Sequence, residues 1–117
     1  MNTSVSILFY IKRAKANNLG VCPIYTRVTV NTKRFEFSTN KYINPDKWSS
    51  EGSKVKGSTE EARTINSHLD YLKSQVLEAE KKLFKKDISL NSENLKNELF
   101  GLSETKRMLV HYFSSMF

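Results

Sequence analysis

The chain has 117 residues, of which 38% are hydrophobic and 26% are charged, and its formal net charge is +7. This size and composition fit one globular domain with a modest core, and no apolar run approaches the roughly 18–20 residues of a membrane span. The single cysteine, Cys22, excludes an internal disulfide framework and fits a reducing cytoplasm. The first residues lack the basic segment and small-residue cleavage site of a signal peptide.

The positive charge lies almost entirely in the first half of the chain. Residues 1–57 carry ten basic and three acidic side chains, whereas residues 58–117 carry nine of each sign. Net charge confined to one part of a chain marks that part as a candidate contact for a polyanion. Because the basic half has the pattern of strands and the neutral half that of helices, we expect a basic sheet on a helical support, with nucleic acid as its partner.

Alternating apolar and polar side chains predict strands over residues 5–12, 22–31 and 34–39. Asn31 begins a tight turn between the second and third strands, since Asn tolerates a left-handed backbone. The three strands would form an antiparallel meander with one apolar face. That face would carry Val5, Ile7, Phe9, Ile11, Ile24, Thr26, Val28, Val30, Phe35 and Phe37.

Residues 40–57 are predicted to be connecting structure. Asn44 is expected to cap a single turn with Pro45 at its first position, and Trp48 is expected to fold back onto the core. The Ser-, Gly- and Lys-rich residues 49–57 are expected to be mobile.

Two helices are predicted in the neutral half. A capping-box pattern at residues 58–61 opens a long helix over residues 59–86, and Asn91 caps a short helix over residues 92–100 that Gly101 ends. The fold class is therefore α+β, with a three-stranded antiparallel sheet packed against a long α-helix and a short helical C-terminal extension. The stripe that would cover the sheet consists of Ala62, Ile65, Leu69, Leu72, Val76, Ala79 and Leu83.

Residues 103–117 begin another apolar helix that has no predicted partner within the chain. An unburied apolar segment is typical of a chain that is continued by another domain or covered by another subunit. We therefore assign residues 1–101 to one domain and residues 102–117 to the truncated start of another.

Sites of catalysis are not predicted in this sequence. It has no Gly-rich phosphate loop, no Cys/His cluster for a metal and no recognisable Ser/His/Asp set. Acidic residues on the helices lie at helical spacing from basic ones, as Glu78 does from Lys82, which is typical of a solvated face. We expect no enzyme activity and no cofactor.

The polar face of the sheet is the candidate binding site, with Glu36 lying among its basic residues. Lys and Arg neutralise phosphates, Arg can take a guanine edge and Thr can contact a thymine methyl group, and a narrow β-ribbon fits the major groove. An ordinary solvated face is the alternative, since basic residues also discourage edge pairing. The candidate DNA-binding residues are Tyr10, Lys12, Arg13, Lys15, Tyr25, Arg27, Thr29, Lys33 and Arg34.

Specific runs in the basic half carry a resemblance to a known family. They are Pro23-Ile24-Tyr25, Arg27-Val28-Thr29-Val30-Asn31, Lys33-Arg34-Phe35-Glu36-Phe37-Ser38-Thr39 and Ile43-Asn44-Pro45 with Trp48. With the helix around Ile65-Asn66, they resemble the amino-terminal arm-type DNA-binding domain of tyrosine site-specific recombinases, over about residues 4–101. These are the integrases of phages and conjugative transposons, especially those of Bacteroides and its relatives.

The resemblance implies a bacterial, cytoplasmic and nucleoid-associated function in DNA integration and recombination for a mobile genetic element. A three-stranded sheet on a helix would bind double-stranded arm-type sites. A helical core-binding domain and a catalytic domain would follow it, and residues 103–117 resemble the opening helix of the core-binding domain. The family's catalytic constellation, a tyrosine nucleophile with arginines, histidines and a lysine, is not present, and Tyr112 lies in the wrong context. The fragment itself would be non-catalytic. Thr32 stands in the hairpin where relatives often have Gly.

Two other functions remain open at this point. In the first, the long helix and the apolar tail mediate self-association, and the charge only confers solubility. In the second, weaker one, Tyr10 and Tyr25 stack on RNA bases. The partners implied by the leading interpretation are double-stranded DNA and the remaining recombinase domains, without a membrane. Further copies of the chain are an additional candidate partner.

Overall fold

A computed structural model of the chain describes residues 5–101. Its sheet consists of β1 (Val5–Ile11), β2 (Cys22–Val30) and β3 (Lys33–Ile43), in the order β1-β2-β3 with antiparallel pairing. Two helices follow, α1 (Glu60–Lys85) and α2 (Ser92–Leu99). The predicted α+β class is confirmed, and so is the long helix packed on a three-stranded antiparallel sheet.

The β2–β3 hairpin closes through a two-residue turn. Val30 pairs with Lys33, and Asn31 has a φ of 59°, in the left-handed region that Asn tolerates. The turn fixes the register in which Arg27 lies opposite Glu36. Leu8 of β1 lies opposite Arg27 on the other side, so β2 is the central strand.

Strand β3 is longer than the predicted strand over residues 34–39 because a bulge carries it past Thr39. Pro23 pairs with Tyr42 and Tyr25 pairs with Ser38. Between these two pairs, β2 has one residue, Ile24, and β3 has three, residues 39–41. Asn40 takes a left-handed φ of 64°, and the buried Thr39 hydroxyl donates to the Ile24 carbonyl at 2.8 Å. The bulge bends the strand and lets it continue to the buried Ile43.

The segment after β3 is more organised than the predicted mobile loop. Asn44 caps a short 3-10 turn over Pro45–Lys47 as predicted, and Trp48 is buried. A second hairpin then forms from β4 (Trp48–Ser49) and β5 (Lys54–Val55). Its Ser53 hydroxyl accepts from the Phe9 N–H at 2.9 Å and donates to the Phe9 carbonyl. The short hairpin thereby covers part of the exposed edge of β1.

Helix α1 begins with a single cap rather than the predicted capping box. The Thr59 hydroxyl accepts from the Ala62 N–H at 3.1 Å, so Ala62 occupies the third helical position, where a capping box needs Glu or Gln. The Asn66 side chain holds the helix to β5, accepting from the Val55 N–H at 2.9 Å and donating to its carbonyl at 3.1 Å. Asn91 caps α2 as predicted.

The core lies between the apolar face of the sheet and α1, and it has two parts. The amino-terminal half of α1 covers the first part and the carboxyl-terminal half, with α2, covers the second. Buried residues of the first part are Phe9, Ile24, Ile43, Trp48, Val55, Ala62, Ile65 and Leu69. Those of the second are Val28, Val30, Val76, Ala79, Leu83 and Leu95. The predicted stripe is confirmed, with Leu72 only partly buried.

Residues 102–117 lie outside the described part of the chain. The predicted helix over residues 103–117 and the division at residue 101 therefore stay predictions.

Truncating Leu69 tests whether α1 holds the sheet. Leu69 is 2% exposed in the core, whereas Leu77 on the same helix is 43% exposed. We expect Leu69→Ala to lower the free energy of unfolding by about 2–5 kcal/mol because it leaves a cavity. The matched Leu77→Ala change should cost about 1 kcal/mol or less. Chemical denaturation measures both, and equal costs would contradict the packing of α1 on the sheet.

Candidate nucleic-acid interface

The face of the sheet that points away from α1 carries the predicted polar residues. Because side chains alternate along a strand, burying Ile24, Thr26 and Val28 against α1 turns Tyr25, Arg27 and Thr29 outward. The register brings neighbours from the other strands beside them: Tyr10 pairs with Tyr25, Glu36 with Arg27 and Arg34 with Thr29.

A carboxylate lies at the centre of this basic face. Glu36 accepts from the Tyr10 hydroxyl through Oε1 at 2.7 Å and from Arg27 Nε through Oε2 at 2.8 Å. Lys12 Nζ lies 3.5 Å from Oε1. The Glu36 side chain is 25% exposed and the Arg27 side chain is 30% exposed, so solvent can reach the cluster. We call Tyr10, Lys12, Arg27 and Glu36 the Glu36 cluster.

Two tyrosine rings hold the cations of this face in place. The Arg27 guanidinium carbon lies 4.8 Å from the centre of the Tyr10 ring, and Lys12 Nζ lies 4.0 Å from the centre of the Tyr25 ring. Lys15 Nζ approaches the same Tyr25 ring at 5.6 Å. Cations over aromatic faces are attracted by the ring quadrupole, so the rings restrain side chains that would otherwise be mobile.

The hydrogen bonds keep Glu36 ionised. The Tyr10 hydroxyl and then the Arg27 guanidinium stabilise the carboxylate and lower the pKa of Glu36 from 4.5 to about 2. Partial burial and the nearby carboxylate raise the pKa of Tyr10, and the bond to Glu36 raises the pKa of Arg27. At neutral pH Glu36 is therefore an anion held between the Arg27 cation and the neutral Tyr10 phenol.

The structure brings most of the predicted site residues together. Lys12 and Lys15 reach the polar face through their contacts with the Tyr25 ring. Lys33 is exposed beside the hairpin turn, and Arg34 is exposed beside Thr29. Arg13 lies in the 3-10 turn after β1 and is exposed. DNA contact by any of these residues stays a prediction.

Glu36 is the residue whose importance sequence reasoning missed. Its alternation with Phe35 and Phe37 placed it on the polar face, but nothing in that pattern shows that it bonds to Tyr10 of the distant strand β1. Arg27, which was predicted only as a DNA-binding residue of the polar face, is bonded to Glu36 through Nε. The available signal was an acidic residue directly opposite an arginine in a register that a two-residue turn dictates.

Residues 5–101 hold no group of three or more His, Cys, Asp or Glu side chains placed to bind a metal ion. Over the same residues, neither helix is long and apolar enough to cross a membrane.

Comparison with known protein families gives a match. A family model described as an arm DNA-binding domain matches residues 9–96, which include all three strands in whole or part, both hairpins and α1. Searches of curated proteins and of solved structures each found no significant match.

The lowered pKa of Glu36 predicts an acid-dependent contribution to stability. A carboxylate whose pKa is lower when folded stabilises the protein above its ordinary pKa of 4.5, and this is lost as the pH falls toward 2. The stability advantage of the native protein over Glu36→Gln should therefore be largest above pH 4.5 and should shrink toward pH 2. Urea denaturation across this range measures it.

A charge-matched control is Glu61→Gln, which removes a carboxylate that is 52% exposed in its pair with Lys47. The difference in free energy of unfolding between the native protein and Glu61→Gln should change much less over the same pH range, because exposed ion pairs contribute little to stability. A constant advantage over Glu36→Gln at all pH values would contradict the ionised cluster.

Proposed function

The chain belongs to the arm DNA-binding domain family, and from this membership we propose that it binds duplex DNA through the polar face of its sheet. Domains of this family are non-catalytic DNA-binding modules found in tyrosine recombinases and integrases. The proposed role is sequence-specific recognition of the arm-type sites of such an enzyme.

The observation that supports the sheet face most directly is the restrained arginine at its centre. Arg27 is held by Glu36 Oε2 at 2.8 Å and by the Tyr10 ring, yet 30% of its side chain remains exposed. Arginine can take a guanine edge with two parallel hydrogen bonds. A restrained arginine in the middle of a narrow sheet is therefore suited to base readout.

The remaining residues of the face divide into two proposed roles. Thr29, next to Arg27 on the same face, would contact a thymine methyl group. The cations around the rim, Arg13, Lys15, Lys33 and Arg34, would neutralise phosphates and release counterions. Lys12, Tyr10 and Tyr25 would border the DNA while restraining one another. The sheet would lie in the major groove, which admits a β-ribbon.

Chemistry is proposed to belong to other parts of the parent recombinase. In this proposal residues 1–101 are the arm-binding module and residues 102–117 begin a helical core-binding domain. The parent protein would be the integrase of a mobile genetic element of the Bacteroides type, acting at the nucleoid in the bacterial cytoplasm.

A second candidate function is self-association, and an exposed apolar groove favours it. Leu77 and Phe84 are 43% and 86% exposed, on a flank of α1 beside its buried stripe. They line a groove with Leu90 that also carries Glu80 and two lysines, Lys81 and Lys85. Apolar residues flanked by both charge signs can meet themselves in an isologous two-fold contact. A second copy of the chain is therefore the proposed occupant.

Phe84→Ser tests this candidate. Removing the exposed ring should lower self-association, measured by sedimentation velocity, while duplex binding through the polar face of the sheet stays unchanged. Phe84 is 86% exposed, so the fold should tolerate the change. A chain that is monomeric at every concentration before the substitution would contradict self-association.

Duplex titration at several salt concentrations tests the leading function. The logarithm of the binding constant should fall linearly with the logarithm of salt concentration, with a slope of about −0.9 per phosphate neutralised. Arg27→Ala should cost about 1–3 kcal/mol on a preferred site and relax its sequence preference. Lys33→Ala should weaken all sequences alike and make the salt slope shallower by about 1.

The control is the double change of Lys81 and Lys82 to Ala. Both lysines are exposed on α1, which lies behind the sheet, so their loss should matter much less than the loss of Arg27. If the lysine pair proves as damaging as Arg27→Ala, the helix is the binding surface. If no duplex binds at low salt, the DNA-binding proposal fails and self-association becomes the leading candidate.

A further inference from the structure

We propose that Glu36 is a positioning residue that orients Arg27 for guanine recognition and thereby gives the sheet its sequence preference. This inference rests on the proposed function, since it concerns the same face. It assigns a role in DNA recognition to an acidic residue that a simple electrostatic account would count only as repulsive to phosphate.

The position of Glu36 on the basic face lowers the affinity of that face for duplex DNA of any sequence. A carboxylate among Lys12, Arg27 and Arg34 removes one net positive charge from the surface that would meet phosphates. It also remains charged, because its hydrogen bonds lower its pKa to about 2. A face selected only for attraction to a polyanion would gain from a neutral or basic residue here, so the anion must serve another purpose.

The contacts around Arg27 indicate that Glu36 orients the plane of the Arg27 guanidinium. Arg27 donates to Glu36 through Nε, and the Tyr10 hydroxyl lies beside the same guanidinium. Nη1 and Nη2, at the end of the side chain, are the pair that can take a guanine edge. The bond at Nε sets the rotation of the guanidinium, and the Tyr10 ring at 4.8 Å supports its flat face. Arg27 is therefore ordered before DNA arrives, which reduces the side-chain entropy lost on binding.

Both oxygens of Glu36 are engaged within the protein. Oε2 accepts from Arg27, and Oε1 accepts from the Tyr10 hydroxyl at 2.7 Å with Lys12 Nζ at 3.5 Å. A carboxylate that read cytosine directly would need to present an oxygen to the base. The structure instead places Glu36 behind Arg27, so it acts through the arginine.

Selection from a random-sequence duplex library tests the inference. The native protein should enrich duplexes with guanine at one or more defined positions. In Glu36→Gln the preference for guanine there should fall by about tenfold or more, within the discrimination that a bidentate arginine provides. Binding to an arbitrary duplex at low salt should stay equal or rise, since one repulsive charge is lost.

Two further variants separate positioning from folding and from charge. Tyr10→Phe keeps the ring beneath Arg27 but removes the hydroxyl that donates to Glu36, and it should lower the guanine preference less than Glu36→Gln does. Glu78→Gln makes the same charge change on α1, where Glu78 is 57% exposed and 4.0 Å from Lys81. It should leave the preference unchanged. Circular dichroism and thermal melting confirm that each variant is folded.

Each outcome has a defined consequence. A native protein that binds no duplex overturns the proposed function and this inference with it. A native protein that selects guanine, with Glu36→Gln equally selective, overturns this inference alone and leaves DNA binding intact. The inference alone is also overturned if Glu36→Gln weakens binding to all duplex sequences equally, because that result would show a structural role for Glu36 without positioning of Arg27. If Glu36→Gln does not fold, an unchanged guanine preference in Tyr10→Phe overturns the inference.

Discussion

Burial of one face of a three-stranded sheet by one helix is the constraint on which the rest of this structure depends. Without a covering element the sheet would leave its apolar face in water, and α1 covers that face along the two parts of the core. Because strand side chains alternate, burying Ile24, Thr26 and Val28 forces Tyr25, Arg27 and Thr29 to face solvent. The packing of the core and the composition of the candidate interface are thus two consequences of one register.

That register also concentrates positive charge, which has to be accommodated. Cations on neighbouring strands repel one another, and the structure offsets this with one ionised carboxylate and two aromatic rings. The arrangement limits the movement of Lys12 and Arg27 while leaving solvent access to them. Attraction for a polyanion is lowered slightly, and the geometry of the central arginine becomes better defined. In DNA recognition these two properties correspond to affinity for any duplex and preference for one sequence.

Much of the fold could be predicted because local patterns and tertiary packing agree. The alternation in β2 and the apolar stripe of α1 each point to the same buried interface, and Asn31 and Asn91 lie where a turn and a cap require them. The continuation of β3 to Ile43 could not be predicted, because it depends on a bulge that the Thr39 side chain stabilises against β2. The hairpin of β4 and β5 was missed because its strands are only two residues long.

The residues of the candidate site could be predicted from the sequence, but the hydrogen bonds between them could not. Alternation placed Tyr10, Arg27 and Glu36 on one face, whereas the hydrogen bonds joining them cross all three strands. Such bonds depend on the relative positions of side chains that are 26 residues apart in sequence, which no local pattern encodes. The family match to residues 9–96 identifies a DNA-binding domain, and the Glu36 cluster supplies a physical reason to look for its contact on the sheet.

Mapping the DNA contact by nuclear magnetic resonance tests the central claim most directly. Backbone amide shifts of the uniformly labelled chain would be followed while a duplex is added at low salt. The account predicts that the largest changes fall on the central and third strands around Arg27, Thr29 and Arg34, with those of Lys81 and Lys82 on α1 nearly unchanged. Changes concentrated on α1, with the sheet unaffected, would contradict it.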